Sequence, residues 1–186
     1  MLRKVSQLAG AVMVAFGVST SATAGNSTTN LSISATVSSN CSISTTAVAF
    51  GVYDPVIANA SSGSDKTAQG TVVVTCTKNA SGVTIGLGLG THATGSTRRM
   101  LGGTNGDFLT YELYQPTATT PGATCTGATV WGNAGANLLT PTGVSGWGAS
   151  SSKTFNVCGV VTKGQDISGT SAGESYTDTV VATVNF

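Results

Sequence analysis

The stretch 30-NLSISATVSSNC-41 decides the fold. Leu31, Ile33, Ala35 and Val37 alternate with Ser32, Ser34, Thr36 and Ser38. A period of two predicts a β-strand with one apolar face. Behind it lies a flexible polar run, 25-GNSTTN-30. A strand with a complete apolar face must cover something. It either opens its own sheet or reaches out to another molecule.

Upstream, Arg3 and Lys4 form a basic start and 5-VSQLAGAVMVAFGV-18 an apolar run, followed by the small-x-small triplet 22-ATA-24. That order predicts a secretory signal peptide cut after Ala24, too short in its apolar part to be a membrane anchor. Residues 1–24 are thus a leader, 25–38 an N-terminal strand segment, and 39–186 one domain.

Downstream, strand candidates recur with turn signals between them. They are 41-CSISTTAVAFG-51, 70-GTVVVTCTK-78, 83-VTIGLGLG-90, 108-FLTYELYQ-115, 153-KTFNVCGVV-161 and 176-YTDTVVATVNF-186. In the last, Val180, Ala182, Val184 and Phe186 share a face. The strand at 83–90 has a bare face of Gly86, Gly88 and Gly90 beside Thr84, which either admits another backbone or marks an unusually twisted, flexible strand. Residues 91–107 read as a loop or long hairpin connection, and 116–151 as loop-rich with short strands. No amphipathic helix of useful length is expected. The pattern predicts an all-β antiparallel sandwich with its core between two inner faces.

Charged residues make up only 8% of the chain, and glycine occupies 25 positions. The sparse charge weakens repulsion between neighbouring molecules. Past the expected leader the only basic pair is 98-RR-99, so there is no stripe for nucleic acid. Cys41, Cys76, Cys125 and Cys158 form an even set in an exported chain, which predicts two disulfides. Three connectivities are open, and the sequential one, Cys41–Cys76 with Cys125–Cys158, is the expectation.

Catalytic chemistry is sparse. His92 is the one histidine and reads as a solvated loop residue. There is no G-x-S-x-G elbow, no P-loop, and no full dinucleotide fingerprint in 86-GLGLG-90. The carboxylates are scattered without calcium-loop spacing. Neither an enzyme nor a metal site nor a cofactor is expected. Trp131 and Trp147 could stack on sugars, but read first as packing anchors.

Taken in order, several stretches resemble the spore coat protein U family, which includes the major pilins of archaic chaperone–usher pili. They are the alternating segment ending in Cys41, 50-FGVYDP-55, 70-GTVVVTC-76, Arg99 before 109-LTYELY-114, 131-WG-132 and the ending 176-YTDTVVATVNF-186. The resemblance implies an immunoglobulin-like sandwich lacking its last strand. Leu31, Ile33, Ala35 and Val37 would then be donor residues for the next subunit, and Val180, Ala182, Val184 and Phe186 would border the groove that receives such a strand. Implied partners are related pilin subunits, a periplasmic chaperone and an outer-membrane usher, and the implied location is the periplasm and then a surface fibre or coat. A self-contained sugar-binding sandwich is the alternative. An outer-membrane barrel is a third reading, weakened by the four cysteines, the few aromatics and the glycine-faced strand.

Overall fold

The computed structural model describes residues 24–126, 129–144, 146–148, 151–169 and 173–186. The expected leader lies outside the described residues, save for Ala24. The chain divides into two units, Met1–Thr36 and Val37–Phe186. Of the first, residues 24–36 are exposed and belong to no strand. The period-two stretch at 30–38 therefore forms no strand here. Alternation marks a segment as suited to a sheet, but a strand exists only once a neighbour supplies its hydrogen bonds.

The second unit is all-β. Its strands are β1 (Cys41–Thr46), β2 (Lys66–Cys76), β3 (Thr84–Leu87), β4 (Arg98–Gly102), β5 (Phe108–Tyr114), β6 (Lys153–Val161), β7 (Tyr176–Thr177) and β8 (Ala182–Asn185). The helical content is a single 3₁₀ turn, Gly135–Asn137, among the described residues. None of their helices is long and apolar enough to cross a membrane. All strand pairs are antiparallel. One sheet runs β1-β2-β6-β5-β4-β7 and the other pairs β3 with β8.

The alternation of β2 and β6 sets the core. Val72, Val74, Phe155, Val157 and Val161, with Leu113 on the neighbouring β5, form one core with Ile85, Leu87, Trp131 and Leu139. Each such side chain contributes about 1.5–3 kcal/mol on burial. Ser42, Ser44 and Thr46 on β1 face water. On β1 the inward side chains Cys41 and Ile43 are apolar and the outward ones hydroxylated, the reverse of a barrel strand in an outer membrane.

The glycine face of β3 receives a backbone, as expected. A β-carbon on Gly86 would lie 3.0 Å from the Asn133 Cα. Ile85 and Leu139 exchange backbone hydrogen bonds at 2.9 Å, and the Leu87 N–H donates to the Gly132 carbonyl. The segment around Trp131 thereby covers one side of β3 and leaves the other to β8. Trp131 is fully buried, its Nε1 donating to the Ile85 carbonyl at 2.9 Å. Trp147 is mostly buried too.

One strand was not expected. The 91–107 region contains β4, whose adjacent Arg98 and Arg99 hide the alternation. Arg98 points inward and is fully buried. It donates to the carbonyls of Leu87, Gly88 and Trp131 and pairs with Glu112. An arginine of this kind joins three elements at once through its planar fork. The carboxylate that neutralises it comes from β5. Disulfides join Cys41 to Cys76 and Cys125 to Cys158.

Candidate functional site

Two strand edges of the second unit lack partners among the described residues, and both border one groove. On β1, the Thr77 N–H donates to the Asn40 carbonyl at 2.8 Å. By antiparallel alternation, Ser42, Ser44 and Thr46 exchange bonds with β2. Cys41, Ile43 and Thr45 then aim their backbone groups at the opposite edge.

The C-terminal strand follows the same logic. The Gly88 N–H donates to the Val181 carbonyl at 2.9 Å, and the Thr91 N–H to that of Thr179. Val181, Thr183 and Asn185 thus turn their backbone groups to β3, and Val180, Ala182 and Val184 turn theirs away. The side chains of Val180, Ala182 and Val184 pack against the core, while Phe186 is 53% exposed. The β1 and β8 strands come within 8 Å in Cα distance without forming a ladder.

Between these edges lies a groove of about 300 Å³. Its walls include Thr45 to Val48 on one side and Val180 and Ala182 on the other, over a floor of Val72, Leu87, Leu113 and Val157. Val48, Phe50, Met100 and Tyr176 line both this groove and a second hollow of about 540 Å³ that reaches Tyr53, Pro55 and Ile167. The segment 47–52 passes along both with no backbone hydrogen bond of its own among the described residues. It is held by side chains: a β-carbon on Gly159 would sit 2.5 Å from Val48 Cγ1 and 2.7 Å from Phe50 Cζ. Only glycine lets them settle so close to β6.

A polar cluster fixes the groove-edge strand where it passes from β7 to β8. The Asp178 carboxylate accepts hydrogen bonds from the Thr91 N–H (2.9 Å) and hydroxyl (2.8 Å), the His92 N–H (3.2 Å) and the Tyr111 hydroxyl (2.7 Å). His92 Nδ1 lies 3.1 Å from Asp178 Oδ1. Burial alone would raise the Asp178 carboxyl. The bonds from Tyr111, Thr91, Thr179 and His92 outweigh it and hold the group below its usual range. Burial, then the bond to Asp178, pushes the Tyr111 phenol upward, so it remains a protonated donor. Gly90, at φ +93°, leaves the room that this carboxylate fills.

His92 lies in a turn with its side chain 32% exposed, in line with the loop residue expected, and is also partnered by Asp178. Its partner lies far away in sequence, where spacing gives no signal. Asp178 itself sits at an inward position of a strand otherwise lined with Val and Ala, a clue legible in the sequence. No group of three or more metal-ligating side chains occurs among the described residues.

The donor candidates Leu31, Ile33 and Val37 are 83%, 86% and 85% exposed, and Ala35 is exposed as well.

Three comparisons with known proteins bear on this site. The Spore Coat Protein U domain matches residues 27–183. "Protein U" of Myxococcus xanthus is 36% identical over 188 residues, covering 96% of this chain and 93% of that protein. Among solved structures, the chain is similar to one in the crystal structure of the CsuC–CsuE chaperone–tip adhesion subunit pre-assembly complex from archaic chaperone–usher Csu pili of Acinetobacter baumannii. There the TM-score is 0.53 at 20% identity, over 81% of this chain and 41% of that one, so this chain spans under half the length of that neighbour. The likeness is one of fold.

Proposed function

The chain belongs to the spore coat protein U domain family, and from that premise we propose that it is an exported structural subunit that polymerises by donating its N-terminal strand to the groove of the next copy. The observation that carries this reading is the groove between the two unpaired edges, Cys41–Thr45 and Val180–Val184. A strand laid there gains main-chain bonds on both sides and pockets for alternate side chains once the two rims, within 8 Å of each other at their nearest, part to the roughly 9.5 Å that an intervening strand needs. Leu31, Ile33, Ala35 and Val37 have the matching period.

Burying Leu31, Ile33 and Val37 contributes roughly 5–9 kcal/mol in total, with little from Ala35. The contact runs from the tail of one copy to the groove of another, so it does not close on itself and builds a filament. Until a neighbour arrives, the exposed edges are an aggregation hazard. A periplasmic chaperone answers that need, and an outer-membrane usher would exchange it for the donor tail. The structural neighbour, a chain of a complex between a chaperone and a pilus tip adhesion subunit, supports such a step. The product is a surface fibre or coat serving attachment and biofilm formation.

The sugar-binding alternative relied on Trp131 and Trp147. Trp131 is fully buried and Trp147 nearly so, which leaves neither ring face open to a ligand.

The test is Ile33→Asp. A charge placed in the groove should abolish heat-resistant ladders on gels while the subunit is still exported and folded. Fibres of normal length from this variant would overturn the reading.

A further inference from the structure

We propose that Asp178 is a positioning residue for strand uptake: it holds the free edge Val180–Val184 ready for pairing before any partner is present. The inference rests on the donor-strand reading above. It concerns the groove's rim, not the strand that fills it.

The C-terminal strand has a break between its two short ladders. Leu101 pairs with Thr177 in one and Leu87 with Ala182 in the other. The strand therefore leaves β4 and joins β3 within a few residues, and Asp178 stands at that step. Its carboxylate ties the strand to the 91–92 turn through the Thr91 and His92 N–H groups and to the groove floor through Tyr111. Tyr111 itself lines the groove, as do Val180 and Ala182. The Asp178 side chain is 2% exposed, so its bonds are shielded from water. Its charge is balanced locally by donors, with His92 the ionisable group against it and Arg98 and Glu112 acting on Tyr111 from β4 and β5.

An edge strand bonded along one side only is the part of a sheet most prone to local opening. β8 has four paired residues. Loss of the anchor at its start lets this edge swing away. Strand uptake then has to restore the edge before it can bind, which reduces the apparent affinity by the fraction of molecules still competent.

The experiment uses the full chain carrying Ile33→Asp, so that its own tail does not compete, and a fluorescent peptide of residues 25–40 as the donor. Asp178→Ala in that background should slow peptide uptake and weaken binding about tenfold, as when a tenth of the molecules remain competent. Asp178→Asn, which keeps an acceptor for the Thr91 N–H, should restore most of it. Tyr111→Phe, a smaller change that folds more safely, should move in the same direction. Amide exchange at Gly88, whose N–H bonds to the Val181 carbonyl, should quicken in step with the loss, while β2 and β6 amides stay protected. Uptake by Asp178→Ala and Tyr111→Phe at the parent rate would overturn this proposal alone. Failure of the parent chain to take up the peptide would overturn the donor-strand reading and this proposal together.

Discussion

Cys41 and Cys76 face each other across the first pair of β1 and β2 and are joined by a disulfide. The bond clamps the point where the exposed tail enters the domain, since Val37 lies only four residues before Cys41. It also fixes β1 as a rim of the groove. Replacing both cysteines by serine should cost about 2–4 kcal/mol of stability through the freed unfolded chain. Urea unfolding of the purified double variant checks this, and the lost stability should exceed that of any single exposed serine change.

Gly159→Ala puts a methyl where Val48 and Phe50 now pack. The segment 47–52 has no ladder to hold it, so it should be displaced from β6. Overpacking of this kind costs about 1–3 kcal/mol. Thermal unfolding should show a drop of several degrees, and nuclear resonances of Phe50 and Tyr111, whose rings lie 6.3 Å apart, should shift more than those of Trp131.

Arg98→Lys keeps the positive charge but loses the fork. A lysine cannot serve the Leu87, Gly88 and Trp131 carbonyls and Glu112 together. Leaving buried carbonyls unpaired should cost about 1–3 kcal/mol. Denaturant midpoints for Arg98→Lys and Arg99→Lys provide the comparison. Arg99 bonds to the His92 carbonyl and lies over the Phe108 ring nearer the surface, so its variant should lose less.

The depressed Asp178 carboxyl gives a pH dependence of known sign. A group whose folded pKa lies below its unfolded value, here 3.8, stabilises the fold fully above that value. The contribution disappears as pH falls through the lower, folded pKa. Wild-type stability should therefore hold from neutrality to about pH 4 and decline below it. Asp178→Asn should be less stable at neutral pH and show a shallower acid decline. Asp54 and Asp107 are also lowered, by backbone bonds from Ile57 and Val56 and by bonds from Ser168 respectively, and they keep part of the slope in the variant.

Most strands of the second unit were legible from their apolar pattern, whereas the alternating stretch 30–38 forms no strand because nothing among the described residues supplies its hydrogen bonds. Residues 153–161 carry Phe155, Val157 and Val161 at alternate positions of one face, and β6 occupies that span. β4 was hidden because Arg98 behaves as a core residue only once Glu112 and three carbonyls surround it, and those come from distant parts of the chain. The glycine face at 83–90 left room for a backbone to approach, but gave no sign that the Trp131 segment would supply it. For the groove, the facing positions of Val180, Ala182 and Val184 were readable from their period. That β1 would be the opposite rim was not, because strand order depends on long-range pairing. The Asp178 cluster escaped for the same reason: its donors at 91, 92 and 111 converge only in the fold.

The most direct measurement is a cross-link between two populations of the chain, one with Ile33→Cys and the other with Ala182→Cys. After mixing under assembly conditions and mild oxidation, mass spectrometry identifies the joined peptides. A disulfide between residue 33 of one copy and residue 182 of another is the expected result. A domain whose groove is filled by its own tail, seen as a 33–182 link inside single chains that carry both cysteines and absent from the mixture, would contradict the account.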